Sequence, residues 1–227
     1  MSKHLEHELD HLERQLLRLS AVVEESIQKA LKAFEQRDID LAEHVIEHDS
    51  DIDQMEVDLE EECLKVFALY QPVAVDLRFL VGALKINNDL ERVGDMSTTI
   101  ARCTQKLTAA GEIDFPFDFH DMVETALDLL RRSLDAFVRQ DTKLAHDVRL
   151  KDRELDEKHG TVQQLFLDMM KKSPEKAEAL LQIVWVSRAL ERVGDHAKNI
   201  AEDVIYMQEG DIVRHTAKKE RRNPYAS

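Results

Sequence analysis

The sequence predicts an all-α protein built from two similar halves in tandem, each a bundle of three long helices. The pentapeptide ERVGD at residues 91–95 returns at residues 191–195, and flanking residues match in the same register, which marks an internal repeat. The chain has only six Gly and four Pro in 227 residues, a composition that favours long helices. Apolar residues also recur at spacings of three and four, the pattern of amphipathic helices.

The first half contains three such helical patterns, each ended by a recognisable break. The first helix begins near Leu5 and is interrupted at Arg37-Asp38, and either Asp38 or Asp40 is a candidate N-cap for the second helix. The second helix ends at Pro72, because proline cannot continue a helix. The third has Pro72 in its first turn and ends before Gly111.

The second half repeats this order at an offset of 103 residues for the first two helices and 100 for the third. We predict helices from about Phe119 to Arg139, from Thr142 to Lys172 and from Glu175 to about Gln208. Gly210 is a predicted helix C-cap. The predicted domains are a first repeat at 1–110, a linker at 111–117, a second repeat at 118–209 and a basic tail at 210–227.

Composition excludes several classes of function. The net charge of −15 argues against a nucleic-acid partner. The two cysteines lie in helical patterns and no apolar run opens the chain, so we expect neither a disulfide framework nor secretion, and the cytoplasm is the expected location. No stretch approaches 18 consecutive apolar residues, which leaves at most peripheral membrane association.

The repeated pentapeptide carries a pair of carboxylates. Its Glu and Asp stand four residues apart, so on a helix they lie on one face about 5–6 Å apart and can share one cation. The glycine between them costs a helix roughly 1 kcal/mol relative to Ala, which suggests close approach of another backbone.

A second pair of acids precedes each pentapeptide, on the preceding helix. Counting from the turn between the two antiparallel helices places both pairs at one level, to within about 3 Å. Four carboxylates at a helix boundary cost several kcal/mol unless they are protonated, paired with Arg or bound to metal. The candidate metal ligands are Asp49, Asp53, Glu91 and Asp95 in the first half, and Asp152, Asp156, Glu191 and Asp195 in the second.

Metal binding is the favoured interpretation, with Arg92 and Arg192 as rival neutralisers through ion pairs. Ligation by oxygen alone suits hard cations such as magnesium, manganese, calcium or iron. His159 and His196 replace Glu56 and Met96 of the first half, so the second site also admits nitrogen ligands and a softer metal such as zinc. The identity of the metal stays open among these.

The sequence offers no nucleophile with an adjacent base and no glycine-rich phosphate loop. The Glu-x-x-His motif of di-iron carboxylate enzymes is absent from the third helices. These absences weaken the interpretation as an oxidase. A metal-dependent hydrolase or oxidase, which would use paired cations at these carboxylates, is the alternative.

Taken together, the duplicated three-helix halves, the Asp/Glu-x-x-x-Asp pairs, and Gln71-Pro72 followed by Asp76-Leu77-Arg78 resemble the PhoU family over nearly the whole chain. The resemblance implies two three-helix bundles side by side in a cytoplasmic regulator of phosphate uptake, not an enzyme, that represses the phosphate-starvation response when phosphate is ample. It also implies metal clusters held by the eight carboxylates above.

The partners that the resemblance implies are the ATPase subunit of a phosphate ABC transporter and the sensor histidine kinase of the phosphate response. The chain would act as an adaptor between them. A homodimer is a further expectation, since helical bundles often self-associate, but no sequence feature fixes the stoichiometry.

Overall fold

The computed structural model describes residues 3–111 and 117–213, and within those ranges it contains helices and no strands. The fold class predicted from the sequence is therefore confirmed. The α-helices are α1 (Lys3–Gln36), α2 (Ile39–Glu47), α3 (Asp49–Tyr70), α4 (Ala74–Ala109), α5 (His120–Arg139), α6 (Thr142–Lys172) and α7 (Ala177–Glu209).

Helix boundaries differ from the prediction at three places. The second predicted helix is interrupted at His48, which closes α2 and opens α3, with its ring Nδ1 donating to the His44 carbonyl at 2.8 Å. Pro72 lies in the connection between α3 and α4 rather than in the first turn of a helix. A single 3₁₀ turn, Pro174–Lys176, precedes α7 and delays its start by two residues.

Matching aspartates begin the second helix of each repeat. The Oδ1 atom of Asp38 accepts from the backbone N–H of Leu41 at 3.0 Å, and Oδ1 of Asp141 accepts from Leu144 at 3.1 Å. Each side chain satisfies a backbone donor that the first turn leaves unpaired. At the other end of the chain, Gly210 closes α7 in the left-handed conformation (φ 80°), as predicted.

In each repeat, the apolar faces of the other helices pack against the last helix. That helix has more buried residues than any other helix of its repeat. In the first repeat α1, α2 and α3 pack on α4, and in the second α5 and α6 pack on α7. The leucine spacing of α1 accounts for its contribution, since Leu12, Leu16 and Leu19 are fully buried.

The two repeats meet chiefly along α4 and α7, the most extensive helix pair of the described residues. The helices run antiparallel, because Lys85 Nζ contacts Asp203 Oδ1 (3.3 Å) while Asp89, one turn further along α4, contacts His196, two turns earlier on α7 (2.8 Å). Gly82 makes room there for the Met207 side chain. The interface therefore combines close packing with buried polar pairs.

Two predicted segments lie wholly or largely outside the described residues. They are the linker at 111–117, of which only its two ends are described, and the basic residues of the tail, Arg214, Lys218, Lys219, Arg221 and Arg222. Within the described part of the chain, no helix combines the length and apolar character needed to cross a bilayer.

Candidate metal centre

Three of the predicted ligands converge in the second repeat. Asp152 and Asp156 lie one turn apart on α6, and Asp195 faces them from α7. Each offers a carboxylate oxygen within 4.8 Å of the other two. One cation can bridge oxygens at that spacing, so the geometry fits a metal ion held between two helices.

The glycine of the pentapeptide explains how the two helices come so close. A Cβ added at Gly194 would lie 2.6 Å from Cδ2 of Leu155 and 3.4 Å from Oδ1 of Asp152. At Gly94 the nearest atom is Cγ2 of Ile52, at 3.1 Å. The prediction that another backbone approaches these glycines is therefore wrong, because side-chain atoms of neighbouring helices fill the space.

Two positively charged side chains partly neutralise the carboxylates of the cluster. Lys198 Nζ donates to Asp152 Oδ2 at 2.6 Å, and Arg188 Nη1 donates to Glu191 Oε1 at 2.6 Å. Lys198 stands three residues after Asp195 on α7, so a single ammonium reaches across to α6. The predicted neutraliser Arg192 forms no ion pair with the described carboxylates, and Arg188 and Lys198 take that role.

The neutralisation is incomplete. Asp152 is 1% exposed, yet its Oδ1 atom accepts no hydrogen bond from the described residues. The buried Oε2 atom of Glu191 likewise accepts no hydrogen bond from the described residues. A buried acceptor without a donor is costly, and a bound cation would remove that cost.

The same imbalance raises pKa values across the cluster. Burial raises the pKa of Asp195, and the negative charge of Asp152 raises it further. Burial and then the charges of Asp152 and Asp195 raise the pKa of Asp156, and burial and then Asp195 raise that of Glu191. Burial alone would lower the pKa of Lys198, but its bond to Asp152 and the surrounding carboxylates raise it. Such mutual repulsion is what a divalent ion would relieve.

The first repeat places its four carboxylates near one another without the same convergence. Asp49, Asp53, Glu91 and Asp95 are all described, but no three of them bring ligand oxygens within 4.8 Å of one another. Arg92 forms ion pairs with Glu91 and Asp95, at 3.3 and 3.2 Å, so its single positive charge offsets part of their charge. Burial, followed by the charge of Asp95, still raises the pKa of Glu91. Here the predicted rival, the arginine ion pair, is the arrangement that the structure contains.

The two histidines of the second repeat are oriented by neighbours that the sequence did not reveal. His159 is buried, and its Nδ1 lies 2.5 Å from Ser187 Oγ on α7. His196 Nδ1 lies 2.8 Å from Asp89 Oδ1, which belongs to the other repeat. Neither joins the group of three aspartates, so the described cluster is made of oxygen ligands alone.

The fold and site together define a class: an all-helical tandem-repeat protein with an acidic site between the last two helices of a repeat. The family described as "PhoU domain" matches residues 16–104 and again 119–204. The chain belongs to the PhoU family, as the resemblance implied.

Relatives and solved structures agree. The chain is 36% identical over 220 residues to the "phosphate-specific transport system accessory protein PhoU homolog" of Pseudomonas putida, which covers 96% of this chain and 86% of that protein. It is also 36% identical over 214 residues to the protein of the same description from Aquifex aeolicus. That match covers 94% of this chain and 97% of the relative.

Two crystal structures share the fold. PhoU from Pseudomonas aeruginosa superposes with a TM-score of 0.87 at 35% identity over 91% of this chain and 99% of that one. The phosphate transport system regulatory protein PhoU from Streptococcus pneumoniae superposes with a TM-score of 0.84 at 29% identity, over 92% of this chain and 99% of that one. These relatives are named as accessory and regulatory proteins, which confirms the prediction of a protein that is not an enzyme.

Proposed function

We propose that this chain is a metal-binding cytoplasmic regulator of phosphate uptake, an adaptor between the ATPase subunit of a phosphate ABC transporter and a sensor histidine kinase. Membership of a family whose members are named as phosphate-transport accessory proteins supports the regulatory role in phosphate transport. The observation that carries the metal-binding part is the convergence of Asp152, Asp156 and Asp195 around a buried Asp152 oxygen that lacks a donor.

In this proposal Asp152, Asp156 and Asp195 would hold the ion, and Glu191, which is now paired with Arg188, would offer a fourth oxygen ligand. A divalent ion would supply twice the positive charge of the Lys198 ammonium, which now links the two helices. Lys198, whose side chain is 35% exposed, would then be free to turn to solvent. Ligands from both α6 and α7 tie the two helices together at that level.

The position of this link between α6 and α7 is consistent with the proposed adaptor role. α7 carries ligands of the metal and also forms the main contact with α4 of the other repeat. Metal binding would therefore restrict the motion of α7, which packs against helices of both repeats. The two surfaces that bind the partners would then be held in a fixed relative position. Repression by ample phosphate would require both partners to be engaged at once.

Metal content is the first test. Elemental analysis of untagged protein, purified without chelator, is compared for the wild type, Asp195→Asn and the first-repeat counterpart Asp95→Asn. We expect one or more equivalents of metal in the wild type, loss in Asp195→Asn, and at least partial retention in Asp95→Asn. Equal metal content in the wild type and in Asp195→Asn would remove the second-repeat site from the proposal.

The adaptor role is tested separately with purified partners. Addition of metal-loaded protein should change the ATPase rate of the transporter and the autophosphorylation rate of the kinase, whereas Asp195→Asn should do so less. A protein that carries metal but changes neither rate would contradict the adaptor role while leaving metal binding intact.

A further inference from the structure

Two histidines lie side by side at the break between α2 and α3 of the first repeat, whereas the converging aspartates of the candidate metal centre belong to the second. The rings of His44 and His48 are stacked, with their centroids 4.0 Å apart and an angle of 8° between their planes. Both residues are exposed. They stand four residues apart, the spacing at which two histidines share one face of a helix and can hold one zinc ion.

The ring of His48 is held in a form that can bind metal. Its Nδ1 lies 2.8 Å from the carbonyl oxygen of His44, and because a carbonyl only accepts, Nδ1 carries the proton. The lone pair of the neutral ring is therefore on Nε2. Histidines that bind a metal through one ring nitrogen commonly donate from the other nitrogen to a backbone carbonyl or a carboxylate. The contact thus fixes the tautomer and the orientation of a candidate ligand.

The closure of α2 does not explain the second imidazole. The cap uses only the backbone of His44, whose carbonyl accepts from both the ring Nδ1 and the backbone N–H of His48. Any residue at position 44 supplies that carbonyl. The repeat requires neither ring, because the offset of 103 places Asp147 and Lys151 at the equivalent positions, and Asp147 pairs there with Arg132.

The charges around the two rings favour a bound cation. Between Glu43 and Glu62 the chain has ten acids and no Lys or Arg, and such a run of negative charge raises the local concentration of divalent ions. A carboxylate of α1 also lies within electrostatic reach. The bond and the charge of Lys29 lower the pKa of Glu25, and the charge of His44 lowers it further. Glu25 is therefore a candidate third ligand.

The ring nitrogens select the class of ion. Zinc, nickel and copper(II) bind imidazole well, whereas magnesium and calcium prefer oxygen. Bonds from zinc to histidine nitrogen are about 2.0–2.1 Å long, so two of them together span about 4 Å. The stacked rings are 4.0 Å apart, so one ion can reach both. The exposed ring of His44 has to tilt out of the stack to point its lone pair at an ion on Nε2 of His48.

We propose that His44 and His48 bind one divalent ion of the zinc class through their Nε2 atoms, at a site separate from the carboxylates of the candidate metal centre. This site goes beyond the proposed function and does not depend on it. Glu25 and water complete the coordination. The ion then joins the break between α2 and α3 to α1, at a place where the described helices are otherwise held by packing and by the His48 cap.

Calorimetric titration of zinc into the full, chelator-treated chain tests the site. His44→Gln is the informative variant, because it removes one ligand and keeps the carbonyl that closes α2. We expect it to weaken one zinc equivalent at least tenfold, with an unchanged helical circular dichroism spectrum. Asp195→Asn should leave that equivalent in place. Equal zinc binding by the wild type and by His44→Gln would overturn the proposal.

The matched control is a second histidine pair with the same spacing, His7 and His11 in α1. The double variant His7→Gln, His11→Gln should retain the zinc equivalent that His44→Gln loses. If the double variant lost it instead, the ion would lie near the start of α1 and the proposal would be wrong.

Copper(II) identifies the ligands directly, because electron paramagnetic resonance resolves the coupling of the metal to each bound imidazole nitrogen. One equivalent of copper is added to the His7→Gln, His11→Gln protein, with and without His44→Gln. We expect coupling to two nitrogens in the first and to at most one in the second. The same number of coupled nitrogens in both would contradict chelation by His44 and His48.

Discussion

Alanine substitution of the pentapeptide glycines tests how the approach of two helices sets up the acidic site. At Gly194 the new methyl group would lie 2.6 Å from Leu155 Cδ2, a distance that real Cβ atoms do not adopt. Leu155 is fully buried and cannot turn away into solvent. The next atom is Oδ1 of the candidate ligand Asp152, at 3.4 Å, which is ordinary contact distance, so the clash falls on Leu155.

The net magnitude follows from two opposing effects. Replacing a helical glycine with alanine stabilises a helix by about 1 kcal/mol, whereas forcing an extra methyl group into a packed core costs about 1–3 kcal/mol. Gly194→Ala should therefore lower the free energy of unfolding by about 0–2 kcal/mol. At Gly94 the nearest contact is 3.1 Å, so Ile52 has to move only slightly and the two effects should nearly cancel. At Gly160 in α6, an added Cβ would meet no atom of the described residues within 4 Å, so Gly160→Ala should keep the full gain in helix propensity.

Urea denaturation of dilute, chelator-treated protein measures this series. We expect the order of stability Gly160→Ala, then Gly94→Ala, then Gly194→Ala, with about 1–3 kcal/mol between the extremes. Gly194→Ala should also retain less metal than the wild type, because relief of the clash with Leu155 moves apart α6 and α7, which carry the candidate ligands. If Gly194→Ala proved as stable as Gly160→Ala, the close approach of α6 and α7 could not be the reason for the glycine.

Three further predictions concern the charges around the second-repeat site. Asp195→Asn should raise the stability of chelator-treated protein by about 0.5–2 kcal/mol, since one of several repelling charges is removed; thermal melts with and without metal would detect a gain that is confined to the metal-free state. Lys198→Met should destabilise the metal-free protein by about 1–3 kcal/mol, because buried Asp152 loses its donor, while tightening metal binding by removing a competitor; weaker binding in a calorimetric titration would contradict this. Burial lowers the pKa of His159 from its ordinary 6.5, so its contribution to stability is complete above that value and is lost as the pH falls through the lowered pKa. The stability difference between wild type and His159→Gln should thus shrink between pH 7 and pH 5 in denaturation of metal-free protein, and a constant difference would contradict it.

Local patterns in the sequence predicted most of the fold. Apolar spacing located the helices, Asp38 was identified as a cap, and the repeat revealed that the chain has two similar halves. The helices and the cap depend on residues within a few turns of one another, and the repeat is visible by comparing the two halves of the sequence. The break at His48 was missed because the apolar pattern continues through it from Val45 to Ile52.

The candidate site was predictable only as far as helical spacing extends. The level of the acids on neighbouring helices follows from counting residues, and three of the second-repeat carboxylates do meet. Which cation reaches each carboxylate depends on side-chain direction, so the role of Lys198 had only a weak signal, its place three residues after Asp195. The contact between Asp89 and His196 joins the two repeats, and nothing in either repeat alone reveals it.

The antiparallel pairing of α4 with α7 means that each repeat serves as the other's binding partner. A single repeat would leave that face of its last helix uncovered, as one subunit of a separated dimer does. The present chain therefore resembles a fused pair of subunits, in which the two copies of one ancestral unit have been free to diverge. Such divergence is visible at the acidic sites: the second repeat has converging aspartates, whereas the first pairs Glu91 and Asp95 with Arg92.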